Sequence, residues 1–208
     1  MDPHLSSWLD EARAMGFLDV PPVSGEADAP SGAPEVVWRQ EVCSLGETRC
    51  VIQSHGSRSA PVMFLCVGSA AFDRWDGQQV VGDALALLHA MIEKGLKRAQ
   101  EQVFVSWVTP VGAEHLAAPS ASAPPSCRSL CAEQVEWVAP QALVLMGAQA
   151  VQLLCPERAD IAAARGQWID VLGRSTLPTF HPSFLLRRPD AKGAAWRDLR
   201  RVMERLEW

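Results

Sequence analysis

"VMFLCVG" (62–68) is a short, unbroken apolar run that stops at a glycine, the pattern of a strand covered on both faces in a parallel sheet. "QVFVSWV" (102–108) and "QALVLMG" (141–147) repeat it. Between the first two runs, Ala84, Leu85, Leu87, Leu88, Met91, Ile92 and Leu96 recur at helical spacing and make one wide apolar face. Between the second and third, "APPSCRSLCAEQVEWVAP" opens on Pro-Pro-Ser, sets Leu130, Gln134 and Trp137 at helical spacing and stops before Pro140. "STLPTF" (175–180) supplies a fourth strand, and "GAAWRDLRRVMERLEW" a closing helix with Trp196, Leu199, Val202, Met203 and Leu206 facing inward. Strand and helix in alternation predict a three-layer αβα sandwich around a central, mostly parallel four-stranded sheet. Ligands of such sheets bind at the carboxyl ends of the strands, here after Val67, Val108, Met146 and Phe180.

Outside this core the chain changes character. "LSSWLDEARAM" places Leu5, Trp8, Leu9, Ala12 and Met15 on one helical face and Gly16 ends it, so residues 1–18 read as a tethered amphipathic helix. Residues 19–35 contain "VPPVSGEADAPSGAP", a flexible linker, and the domain itself runs over 36–208. No apolar run approaches the roughly 20 residues of a membrane span. The N-terminus lacks a basic region followed by an apolar one, so a cytoplasmic protein is expected. In that compartment the six cysteines are expected as reduced thiols or metal ligands, not as a disulfide framework.

Charge is unevenly spread around a net of −5. Met1 to Glu47 holds nine acidic residues against Arg13 and Arg39, whereas Arg187 to Arg205 holds seven basic residues against three acidic ones. Only the second end attracts phosphate, although the plainer reading of its charges is a solvated helix face. "TFHPSFLLRRP" (179–189) sits at its head, with a histidine-proline turn, an apolar stretch and paired arginines.

The order of these elements, with "CSLGETR" (43–49), "VGSA" (67–70), "GQQVVGDALALL" (77–88), Gln134, Pro140, "RGQW" (165–168) and "HPSFLLRRPDAKGAAWRDL" (181–199), resembles the uracil-DNA glycosylase superfamily, and within it the iron-sulfur-containing family 4. The resemblance implies a base-excision fold in DNA repair or replication. It places His181 as donor to the base oxygen that gathers charge as the glycosidic bond breaks. Pro182, Ser183, Phe184, Leu185 and Leu186 would form the loop that enters the duplex, and Arg187 and Arg188 would meet phosphates.

The same resemblance exposes departures. Gly68, Ser69 and Ala70 stand where the family carries its water-activating carboxylate motif, and Ser69 is no base near neutral pH without a partner. Asp73 and Asp76 lie close in sequence, although the plainer reading of both is a solvated loop acid. Val80 replaces the aromatic that stacks on uracil. Trp107 replaces the asparagine that reads the uracil edge, and an indole has one donor and no acceptor. Of four cluster cysteines only Cys43 and Cys127 match, the other positions falling at Gln40 and Val111. Two thiolates do not hold a four-iron cluster, so no cofactor is expected unless Cys50 and Cys131 rebuild the set.

Two readings follow. One is a glycosylase with weakened, altered or lost uracil excision, dependent on His181 if active. The other is a non-catalytic adaptor: a tethered helix ahead of such a domain resembles the psi subunit of the bacterial replicase clamp loader, with Trp8, Leu9 and Phe17 as anchors for a protein partner.

Overall fold

The computed structural model describes residues 36–45, 48–67, 73–75, 80–99, 102–111, 125–158 and 160–208. The helix expected over 1–18, with Trp8, Leu9 and Phe17, and the linker of 19–35 lie outside them, as do Gly68, Ser69, Ala70 and Asp76.

The nine strands described are β1 (Val36–Leu45), β2 (Thr48–Ser57), β3 (Val62–Val67), β4 (Asp73–Trp75), β5 (Val80–Gly82), β6 (Phe104–Val111), β7 (Ala142–Met146), β8 (Ile169–Val171) and β9 (Arg174–Thr179). The helices are α1 (Asp83–Ala90), α2 (Pro125–Val138), α3 (Ala148–Leu154), α4 (Ile161–Ala164), α5 (Pro182–Arg187) and α6 (Lys192–Arg205). The main sheet runs β1-β2-β6-β3-β7-β9-β8, and β4 and β5 form a separate antiparallel ribbon.

The four strands expected from sequence are the centre of this sheet: β6, β3, β7 and β9 are neighbours and parallel. The sheet is wider than expected, because the β1–β2 hairpin extends one edge and β8 the other, all antiparallel. Those added strands mix polar and apolar residues, so they lack the continuous apolar signal that marks the centre.

Alternate residues of the central strands feed two cores. Met63, Leu65, Phe104, Leu143 and Leu145 pack beneath Cys131 and Val135 of α2 and Val151 and Leu154 of α3. Phe64, Val105, Trp107, Val144 and Leu177 pack beneath Leu85 and Leu88 of α1, Leu186 of α5, and Leu199 and Val202 of α6. Each fully buried large side chain of this kind contributes about 1.5–3 kcal/mol. Gln134 fastens α2 to the sheet: the Ser106 hydroxyl donates to its Oε1 at 2.7 Å and its Nε2 donates to Ser54 Oγ at 2.9 Å, all buried.

Three expectations are corrected. The helix expected from Ala84 to Leu96 is α-helical only to Ala90 and continues as a π-helical turn, Met91–Gly95, closed by the Leu96 N–H on Met91 O at 2.9 Å. Trp196 does not face inward: it is 40% exposed, because its ring lies across Gly95, where a side chain would meet it at 3.1 Å. The cysteines are not all reduced thiols, because Cys127 is disulfide-bonded. Cys131 is a buried thiol in the core beneath α2, and Cys155 donates to Glu157 Oε1 at 2.9 Å. Among the described residues no helix is long and apolar enough to cross a membrane.

Candidate functional site

β9 ends at Thr179, and two residues later His181 caps α5, with Pro182 at the first helical position. The cap is made by the imidazole itself. His181 Nδ1 accepts the Ser183 backbone N–H at 3.1 Å and lies 2.8 Å from Ser183 Oγ. A backbone N–H only donates, so Nδ1 carries no proton and the neutral ring holds its hydrogen on Nε2. That Nε2 is buried with no hydrogen-bond partner among the described residues. Burial first, and the charge of Arg187 second, lower the His181 pKa to about 3. At neutral pH the group is therefore an uncharged, desolvated N–H donor.

Neighbouring strand ends hold it there. Gly147 follows β7, its N–H donates to Thr179 O at 2.8 Å, and its φ of +89° is one that side-chain-bearing residues rarely adopt. A Cβ on Gly147 would stand 2.7 Å from His181 Cβ, so the close approach requires glycine. From β6, Trp107 is 1% exposed and its ring centroid lies 5.3 Å from that of His181, tilted by 54°. Trp107 Nε1 is also buried without a hydrogen-bond partner among the described residues. Trp107 and His181, far apart in sequence, are thus brought into contact, and both present lone donors.

The remaining candidates divide. Val80 opens β5 opposite Trp75, and Asp73 opens β4 opposite Gly82. In α5, Leu185 and Leu186 are 2% and 8% exposed and point into the core, and Pro182 and Ser183 are buried. Phe184 alone of the apolar trio is half-exposed, stacked on Phe180 at 4.8 Å. Arg187 and Arg188 are exposed, and Arg188 is held by Asp190 through Nε and Nη2 at 3.0 and 2.8 Å.

Sequence reading assigned no role to the clamp behind this loop. Arg165 Nη2 donates to both oxygens of Asp198 at 2.8 Å and to Ala194 O at 2.8 Å, and the Thr179 hydroxyl donates to Asp198 Oδ2 at 2.7 Å. Burial pushes the Asp198 pKa up, against the pull of Thr179 and Arg165. Gly166, at φ +71°, leaves no room for a side chain, since its Cβ would meet Asp198 Oδ1 at 2.6 Å. The Arg165 guanidinium also lies over Phe180 at 4.9 Å. The signal was present in the "RGQW" and "WRDL" pieces, but only the fold shows that they meet beneath the histidine turn.

The cluster positions do not fit a four-iron group. Cys127 is buried and disulfide-bonded, and Gln40 and Val111 offer no thiolate. Among the described residues no group of three His, Cys, Asp or Glu side chains could hold a metal ion.

The strand ends therefore present two neutral, buried hydrogen-bond donors, His181 Nε2–H and Trp107 Nε1–H, on a parallel α/β scaffold. A family model described as the uracil DNA glycosylase superfamily matches residues 53–200. A type-4 uracil-DNA glycosylase of Thermotoga maritima is 29% identical over 157 residues, covering 74% of this chain and 81% of the relative. One of the same description from Saccharolobus solfataricus is 24% identical over 179 residues, covering 82% and 83%. The solved structure described as "Crystal structure of ESTFA (FE-lacking apo form)" overlaps with a TM-score of 0.30 at 15% identity, covering 76% of this chain and 55% of that one, too slight a likeness to carry an argument. The chain belongs to the uracil DNA glycosylase superfamily.

Proposed function

We propose that this protein acts on DNA in base-excision repair as a glycosylase in which the oxyanion donor is kept and the uracil reader is replaced. As the bond between the sugar C1′ and the base nitrogen breaks, its electron pair passes into the base and charge collects on a carbonyl oxygen. The observation that carries the reading is the His181 Nε2–H, neutral, buried and without a partner among the described residues, at the carboxyl end of the last parallel strand. A preorganised neutral donor there stabilises charge only as it develops. Water then adds at C1′ and releases its proton to solvent, since Ser69 provides no base.

Trp107 alters base choice. An indole N–H donates to a carbonyl but cannot accept from a ring N–H, so the code for uracil is half read. Phe184, the half-exposed member of its trio, is the side chain placed to enter the duplex, and Arg187 meets the backbone.

The test is single-turnover release from single- and double-stranded oligonucleotides carrying uracil, hypoxanthine or xanthine. Slow or absent uracil release is expected, and whichever base is released should leave about a hundredfold more slowly with His181→Ala. Release that His181→Ala leaves untouched would sink the reading.

A further inference from the structure

The opposite pole of the sheet, at the amino ends of the parallel strands, carries a second surface that the His181 site does not use. The turn 57–61 joins β2 to β3 and is closed by the Ala60 N–H on Ser57 O at 3.0 Å and the Ser59 N–H on Ser57 Oγ at 3.2 Å. A cavity opens on each side of it. One, of about 210 Å³, is lined by Ser57, Ser59, Arg98, Gln102 and Trp208, and the other, of about 360 Å³, by Ser57, Arg58, Ser59, Trp137 and Val138.

The two cavities repeat one chemistry on opposite faces of the sheet. Trp208 packs against the core beneath α1 and α6, and Trp137 against the core beneath α2 and α3. Each indole has a guanidinium over it: Arg98 lies 4.6 Å from the Trp208 ring and Arg58 lies 5.1 Å from the Trp137 ring. The Ser57 and Ser59 hydroxyls, 3.0 Å apart, bridge them. Arg98 Nε has no hydrogen-bond partner among the described residues.

An aromatic face with a cation beside it, met twice along one path, fits successive bases and the phosphates that join them. We propose that this pole binds single-stranded nucleic acid, its backbone crossing the turn 57–61 and a base reaching each of Trp137 and Trp208. A duplex is a poor occupant, because its bases are stacked on one another and offer no face to an indole. Glu133 and Glu136 on α2 and Glu207 beside Trp208 are exposed and repel phosphate, which confines the backbone to the turn between the two arginines. The proposal is independent of the His181 chemistry.

The experiment is fluorescence anisotropy of the full chain with a labelled oligothymidylate of about a dozen nucleotides, against a duplex of equal length, across a salt series. Arg58→Glu with Arg98→Glu, and separately Trp208→Ala, should each weaken single-strand binding about tenfold or more. The charge variant should also flatten the salt slope by about 0.7 for each phosphate that is no longer neutralised. Thermal melts confirm that the variants fold, and Arg187→Glu with Arg188→Glu reports on the other pole. Binding that falls only in the Arg187 and Arg188 variant, equal affinity for the duplex, or no single-strand binding by the parent chain would each overturn the proposal.

Discussion

The protonation of His181 has consequences beyond the site. In the unfolded chain this imidazole takes up a proton as pH falls below about 6.5, whereas in the folded chain its pKa is about 3. Above pH 6.5 both states are neutral and the group adds no pH dependence. From about 6.5 down to about 3 the unfolded state alone gains the proton, so stability falls with falling pH. His89, whose pKa is lowered by burial against the opposing pull of Glu93, acts with the same sign. The melting temperature should therefore drop between pH 6.5 and pH 4, and the drop should be smaller in His181→Gln. An equal drop in the variant would mean that His181 ionises within the folded protein. The residue's place was legible in the sequence, since the histidine-proline turn followed a strand, but its tautomer was not. That depends on the ring accepting the Ser183 N–H as the helix cap, a matter of three-dimensional geometry.

At the scale of elements, the histidine loop is held by contacts between segments remote in sequence. Arg165 precedes β8, Thr179 ends β9 and Asp198 sits on α6, and their hydrogen bonds close α6 over the strand end. Only 4% of the Asp198 side chain and 22% of the Arg165 side chain are accessible, so removing the carboxylate strands a largely desolvated guanidinium. Asp198→Ala is expected to cost about 3 kcal/mol in urea unfolding. Thr179→Val, which removes one hydrogen bond and keeps the shape, should cost about 1 kcal/mol. Equal costs for the two would show that the ion pair contributes little. Central strands were readable because burial on both faces writes an unbroken apolar run. The β1–β2 hairpin and β8 were not, because they mix polar and apolar residues, and in β2 even buried positions such as Gln53, Ser54 and His55 are polar. An apolar run after a turn reads alike whether it enters DNA or its own core, and Leu185 and Leu186 are buried in this structure.

Across the whole molecule, the scaffold and the metal site have been treated differently. The parallel centre and its helices fit the superfamily, while the positions that would bind a cluster are only partly filled by cysteine. Gln40 and Val111 lie on β1 and β6, Cys131 is buried in the core, and Cys127 is disulfide-bonded. A four-iron cluster needs four thiolates around one cavity, so this chain should remain without visible charge-transfer absorption after anaerobic treatment with iron, sulfide and thiol. The same thiol opens the Cys127 disulfide and frees the unfolded chain of its cross-link, which should lower stability by about 2–4 kcal/mol. The two readouts separate the cases. Loss of stability without bound iron means that the folded chain relies on the Cys127 disulfide and not on a cluster. Uptake of about four irons per chain with a rise in melting temperature would mean that the cysteines regroup around metal, and the loss of the cofactor would have to be abandoned.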